Sequence, residues 1–128
     1  MTILVRILVL LLGLFNLFIG LSFLFNPAEM AADFSVEPLG SQGLATIRAD
    51  LPAFFLTAAG FSLYSAWKQS AAPLLVPMTL MSIALIGRFV SLALDGQGPM
   101  AFQPMVAEVV MSGIAFIGYR TFKGAAHE

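Results

Sequence analysis

The chain has no cysteine, a single histidine and few charges: of 128 residues, only 10% are Asp, Glu, Lys or Arg. Without cysteine there is no disulfide scaffold, no thiolate zinc or iron–sulfur site and no thiol nucleophile. The lone imidazole, His127, lies in the C-terminal tail, so the serines of the apolar stretches have no base to form a Ser-His-acid relay. Six Lys/Arg against seven acids leave a net charge of −1, too little cation to hold a nucleic-acid backbone. No glycine-rich phosphate loop opens a helix. The scarcity of charge also excludes an ordinary water-soluble domain, which carries roughly a quarter charged residues to cover its surface. No metal and no cofactor are expected from this inventory.

What the chain has is apolar length. Residues A, V, I, L, M, F, W, Y and C make up 59% of it, and its mean hydropathy is +0.94. Four apolar stretches stand out, at about 7–25, 44–67, 72–94 and 101–119. The first has 19 residues without a charge, about 28 Å as a helix, close to the hydrocarbon thickness of a bilayer. Its apolar run is longer than that of a cleaved leader, and Glu29 and Met30 spoil a small-x-small cleavage site, so it is expected to be a retained span. Turn-forming pairs separate the stretches: Asn26-Pro27, Ala72-Pro73, Asp95-Gly96 and Gly98-Pro99. The expected fold is all-α, one domain over 1–128, a four-transmembrane-helix bundle joined by an outer loop at 26–43. Residues Pro27 to Phe34 of that loop can form a short surface helix, with an ordered loop as the alternative.

Arg6, Lys68, Arg120 and Lys123 all fall on one side of such a bundle, whereas the opposite connections carry Glu29, Asp33, Glu37 and Asp95. The excess of Lys/Arg marks the cytoplasmic side, so both termini are expected there, with Tyr64, Trp67 and Tyr119 at the inner interface. The expected location is a bacterial cytoplasmic (inner) membrane, crossed several times.

Each span shows one small or polar stripe at helical period: Gly13, Asn16 and Gly20; Asp50, Ala53, Thr57, Gly60 and Tyr64; Ala84, Arg88, Ser91 and Asp95; Glu108, Ser112, Ala115 and Tyr119. Small and polar residues mark contact faces between helices in lipid, so the four stripes are expected to face inward. Pro52 and Pro77 interrupt spans 2 and 3 near one end, and an irregular first turn is expected around Arg48 and Asp50.

Arg48, Asp50, Arg88, Asp95 and Glu108 gather toward the outer ends. An isolated Arg or Asp in hydrocarbon costs about 2.5–3.5 kcal/mol even on mild insertion scales, which favours pairing. Arg88 is expected between Asp50 and Glu108, its planar fork serving both. Arg48, on another face, is expected to reach the outer surface or the acids Glu29 and Asp33. The cluster reads either as a structural ion-pair network or as the wall of a ligand pocket.

The segment Gly87-Arg88-Phe89, then Asp95-Gly96, Pro99 and Glu108, together with Ile47-Arg48-Ala49-Asp50, resembles a family of small bacterial four-helix membrane proteins known only as a domain of unknown function. The resemblance covers nearly the whole chain and implies the four-helix fold without an activity. It places Arg48, Arg88, Asp95 and Glu108 at the family's polar positions. The chain departs from the pattern at Asp50-Leu51-Pro52, where the family has glycines. The functional expectation is a non-enzymatic accessory or structural membrane subunit, or one that binds a lipid or quinone. Its expected neighbours are membrane lipid, a second copy or a larger membrane complex, with no nucleic acid. The alternative is a small membrane enzyme or carrier acting on an amphipathic or anionic substrate through Asp50, Arg88 and Glu108.

Overall fold

A computed structural model describes residues 2–96, 98–99 and 101–127; Gln97 and Met100, between the last two long helices, lie outside this set. The described residues are all-α: α1 Thr2–Phe25, α2 Pro27–Asp33, α3 Gly40–Lys68, a 3₁₀ turn Ala72–Leu74, α4 Leu75–Asp95 and α5 Phe102–Ala125. α1, α3, α4 (with its 3₁₀ turn) and α5 are long and apolar enough to cross a membrane. Ile3, Phe18, Ile83, Phe89, Leu94 and Val106 are among the large apolar side chains on the outside. Such a surface is stable against acyl chains and not against water.

The short helix between the first two spans forms. Pro27 occupies its first turn, where a missing N–H costs nothing. It ends at Asp33, and Ser35, just beyond its C-cap Phe34, turns the chain away with a left-handed φ of 61°. Phe34 then packs edge-on to Phe23 at 5.0 Å and to Phe55 at 6.0 Å, which pins α2 against α1 and α3.

α1 and α3 form the closest pair. Gly13 lies against Leu63 and Gly20 against Leu56, so two leucines of α3 enter the gaps left by two glycines of α1. Arginines clamp both ends of this pair. Arg6 of α1 donates from Nε to Ala66 O at 2.8 Å, and Arg48 of α3 donates from Nη1 to Leu24 O at 3.0 Å. Each satisfies a last-turn carbonyl of the other helix and places a cation at the negative end of its dipole.

The glycine–leucine fit sets the rotation of α3 and overturns one expectation. Asp50, Ala53, Thr57, Gly60 and Tyr64 face outward, and the buried side is Ile47, Pro52, Phe55, Ala58, Ala59, Ser62, Ser65 and Ala66. Both faces of α3 carry small residues; shape complementarity with α1 chooses between them. α3 also begins at Gly40 and runs unbroken through Pro52, so the irregular first turn does not occur. The proline ring leaves the carbonyl of Arg48 without its usual helical partner.

Three buried clusters are stacked along the bundle. Val5, Val9, Ala66, Leu74 and Phe122 close the end that holds both termini. Leu12, Ala58, Met81, Met111 and Ala115 fill the middle. Phe23, Ala31, Ile47 and Phe55 fill the distal end and come from α1, α2 and α3 alone. The buried residues of α4, Pro77 and Met81, both lie in its first third. The α4–α5 hairpin therefore packs tightly near the termini and stands off at the distal end. The accessible surface agrees: 7895 Å², against about 6,600 Å² for a compact soluble protein of this mass.

Candidate functional site: a distal cavity with a buried ion pair

The separation at the distal end leaves a cavity of about 820 Å³ bounded by all four long helices and both distal connections. Its walls are mainly apolar, with Phe15 and Ile19 from α1, Phe54 and Phe55 from α3, and Met81 and Met111 toward the middle of the bundle. Asp33, Phe34 and Ser35 from one connection and Gly98 and Pro99 from the other line its rim.

Arg88 and Glu108 line this space from α4 and α5. Arg88 Nε donates to Glu108 Oε1 at 2.7 Å, a short charge-assisted contact. The two partners are buried unequally: the Arg88 side chain is 39% exposed and that of Glu108 8%. Glu108 Oε2 is buried and has no hydrogen-bond partner among the described residues. The Nη atoms of Arg88 are likewise without a partner among those residues. Glu108 lies about 15 Å toward the distal end from Gly118, and Gly118 abuts Val9 of α1. The carboxylate is therefore roughly level with Ile19, inside the span of α1. Nearer the middle, Asn16 Nδ2 donates to Leu12 O at 2.9 Å and approaches Met111 Sδ at 3.5 Å.

The other residues of the expected cluster are elsewhere. Asp50 does not share Arg88: it is exposed, and no ion pair includes it among the described residues. The pairing of Gly13 with Leu63 and Gly20 with Leu56 brings Asp50 level with Asn26, past the end of α1, where its carboxylate needs no partner. Arg48 binds the carbonyl of Leu24 rather than Glu29 or Asp33. Asp95 accepts from Ser91 Oγ at 2.8 Å in the last turn of α4. Ser91 and Asp95 are exposed, whereas Ala84 and Arg88 of the same stripe are half-buried. Among the described residues no three His, Cys, Asp or Glu side chains converge as a metal site would require.

Several cavity residues carry no sequence signal. Leu92 and Met105 look like any apolar residue of a span, and Ser35 like any loop residue. A cavity is a property of how helices diverge, and no local pattern encodes it.

The fold and cavity define a class, a small multi-pass helical membrane protein with a charged pair lining an apolar chamber. Within that class the chain belongs to the DUF4345 family, described as a domain of unknown function, whose match covers residues 4–119. No curated protein and no solved structure matches the chain.

Proposed function

We propose that this protein is a non-enzymatic binding subunit of a bacterial cytoplasmic membrane that holds one amphipathic molecule, of the lipid or quinone class, in its distal cavity. The observation that carries this reading is the pairing of an apolar chamber of about 820 Å³ with an ion pair whose part-exposed arginine still has open Nη donors. Pockets for small molecules have this composition, mostly apolar walls and a few fixed polar groups. Intramembrane charges facing a cavity are typical of functional sites. The alternative, an enzyme or carrier using Asp50 with Arg88 and Glu108, is weaker because Asp50 stands outside the chamber.

Native mass spectrometry of protein extracted gently from its own membrane tests this reading. The expected result is a one-to-one adduct with the mass of a lipid or quinone. Ala84→Phe, which fills the chamber wall, should remove the adduct; Ile83→Phe, on the outer face of the same helix, should keep it. Bare protein in every preparation, or an adduct that survives Ala84→Phe, would overturn the proposal.

We also propose that both termini are cytoplasmic. The support is the location of Arg6, Lys68, Arg120 and Lys123 at the terminal end of the bundle. Because the chain lacks cysteine, single cysteines give a clean readout. A cysteine at Glu37 should react with an impermeant maleimide added outside intact cells, and one at Lys123 only after permeabilisation. The reverse pattern would invert the topology.

A further inference from the structure

We infer that the occupant of the distal cavity is a zwitterionic phospholipid, held head outward, with its phosphate on Arg88 and its ammonium on Asp33. The inference rests on the binding role proposed above and specifies its ligand.

The chamber meets its ion pair through the arginine. Glu108 Oε2 is buried and Oε1 is taken by Arg88, so the carboxylate stays behind the guanidinium. The Arg88 side chain is 39% exposed and engages only its Nε, which leaves both Nη groups without a partner among the described residues. A guanidinium only donates, so the ligand group beside it has to accept. The two Nη groups form the end of a planar fork, a shape that matches two oxygens of one phosphate.

The order of groups along the chamber adds a second constraint. Met81 and Met111 lie toward the middle of the bundle, the ion pair about 9 Å inside the end of α1, and Asp33 at the rim. Asp33 is exposed and enters no ion pair among the described residues. From the middle outward the chamber therefore presents apolar surface, a cation and then an acid. An amino phospholipid carries the complementary series: acyl chain, phosphate, ammonium. Its ammonium then stays in the head-group layer and avoids the cost of a charge in hydrocarbon.

Charge separates this head from its rivals. The charged residues of the lining are two acids, Asp33 and Glu108, and one arginine, a formal charge of −1. An anionic lipid would make that −2, whereas a zwitterion leaves it unchanged and sets each of its charges beside an opposite one. A quinone head brings no cation to Asp33.

The test compares phosphatidylethanolamine with phosphatidylglycerol of identical acyl chains, each added to the purified, delipidated full chain in detergent. Native mass spectrometry over a range of lipid concentrations gives the two affinities. At low salt the wild type is expected to bind phosphatidylethanolamine about tenfold more tightly, the size of one hydrogen bond between charged groups. The preference should shrink as salt is raised, because the rim is exposed. Asp33→Asn should bring the two affinities together, and Asp33→Lys should invert their order. Glu37→Gln removes an exposed acid of the same connection that does not line the chamber, and should keep the full preference. Arg88→Gln should weaken both lipids alike, since both bring a phosphate.

Equal affinities in the wild type, a preference that survives Asp33→Asn, or its loss in Glu37→Gln would overturn the inference. So would Arg88→Gln that binds both lipids as the wild type does. In these cases a lipid or quinone adduct in the spectra of gently extracted protein would leave the broader binding role standing, and bare protein would remove both. Should Arg88→Gln not fold, the variants of Asp33, an exposed side chain, decide the matter.

Discussion

Arg88→Ala is expected to destabilise the protein in detergent by about 2–3 kcal/mol. It strips the partner from Glu108, whose side chain is 8% exposed. Removing one member of a buried ion pair costs roughly 3–5 kcal/mol, chiefly through the charge left behind. The lower figure applies because the Arg88 side chain is 39% exposed and solvent screens part of the contact. Arg88→Met combined with Glu108→Leu should recover most of the loss, since two apolar residues of similar size leave no unpaired charge. Exchanging the two residues, Arg88→Glu with Glu108→Arg, should recover part of it. Asp50→Asn should stay within about 0.5 kcal/mol of wild type, as an exposed side chain outside the pair. Unfolding of these variants by denaturing detergent, analysed as a double-mutant cycle, measures the coupling. A single-variant loss below about 0.5 kcal/mol would mean that the pair is solvated and does not hold the α4–α5 hairpin.

Gly20→Leu and Gly13→Leu are expected to be at least as damaging. A Cβ added at Gly20 would come within 2.6 Å of Leu56 Cδ2 and 3.2 Å of the Leu56 backbone nitrogen. At Gly13 the same atom would meet Leu63 Cγ at 2.7 Å and its nitrogen at 3.2 Å. The leucine tip can move, but the backbone cannot without parting α1 from α3. Alanine at either site should cost about 1–3 kcal/mol, the usual range for overpacking. Leucine should cost more and reduce the yield of folded protein. Gly20→Ala with Leu56→Ala should recover part of the loss by clearing the near atoms. Gly60→Ala and Gly87→Ala are the controls: nothing lies within 4 Å of either added Cβ. They should be neutral or slightly stabilising, because alanine is the better helix former by up to about 1 kcal/mol. Equal losses at all four glycines would mean that the α1–α3 fit is not their cause.

Much of the architecture was readable because membrane helices obey local rules. A run of apolar residues long enough to cross hydrocarbon must satisfy its own backbone, and the helix does so. Turn residues at Asn26-Pro27 and Asp95-Gly96 end the runs where the helices end. The inward stripe of α1 was legible because Gly13, Asn16 and Gly20 stand out against leucine and phenylalanine. On α3 the same reading failed. Ala58, Ala59 and Ser62 on one face and Ala53, Thr57 and Gly60 on the other are equally small, so periodicity gave two answers. The wrong face carried Asp50 with it into an imagined triad. The roles of Arg6 and Arg48 were hidden for a different reason. Each caps a helix distant in sequence, and only the antiparallel register brings cation and carbonyl together.

The order of residues alone determined an all-α chain with four helices of membrane-spanning length. That follows from length and hydropathy, which act residue by residue. Tertiary structure decided which carboxylate Arg88 pairs with, which face of α3 is buried, and that a chamber opens at one end. Those outcomes depend on the rotation and divergence of whole helices, set by leucines seating against glycines across the α1–α3 contact and by a distal core built without α4 or α5.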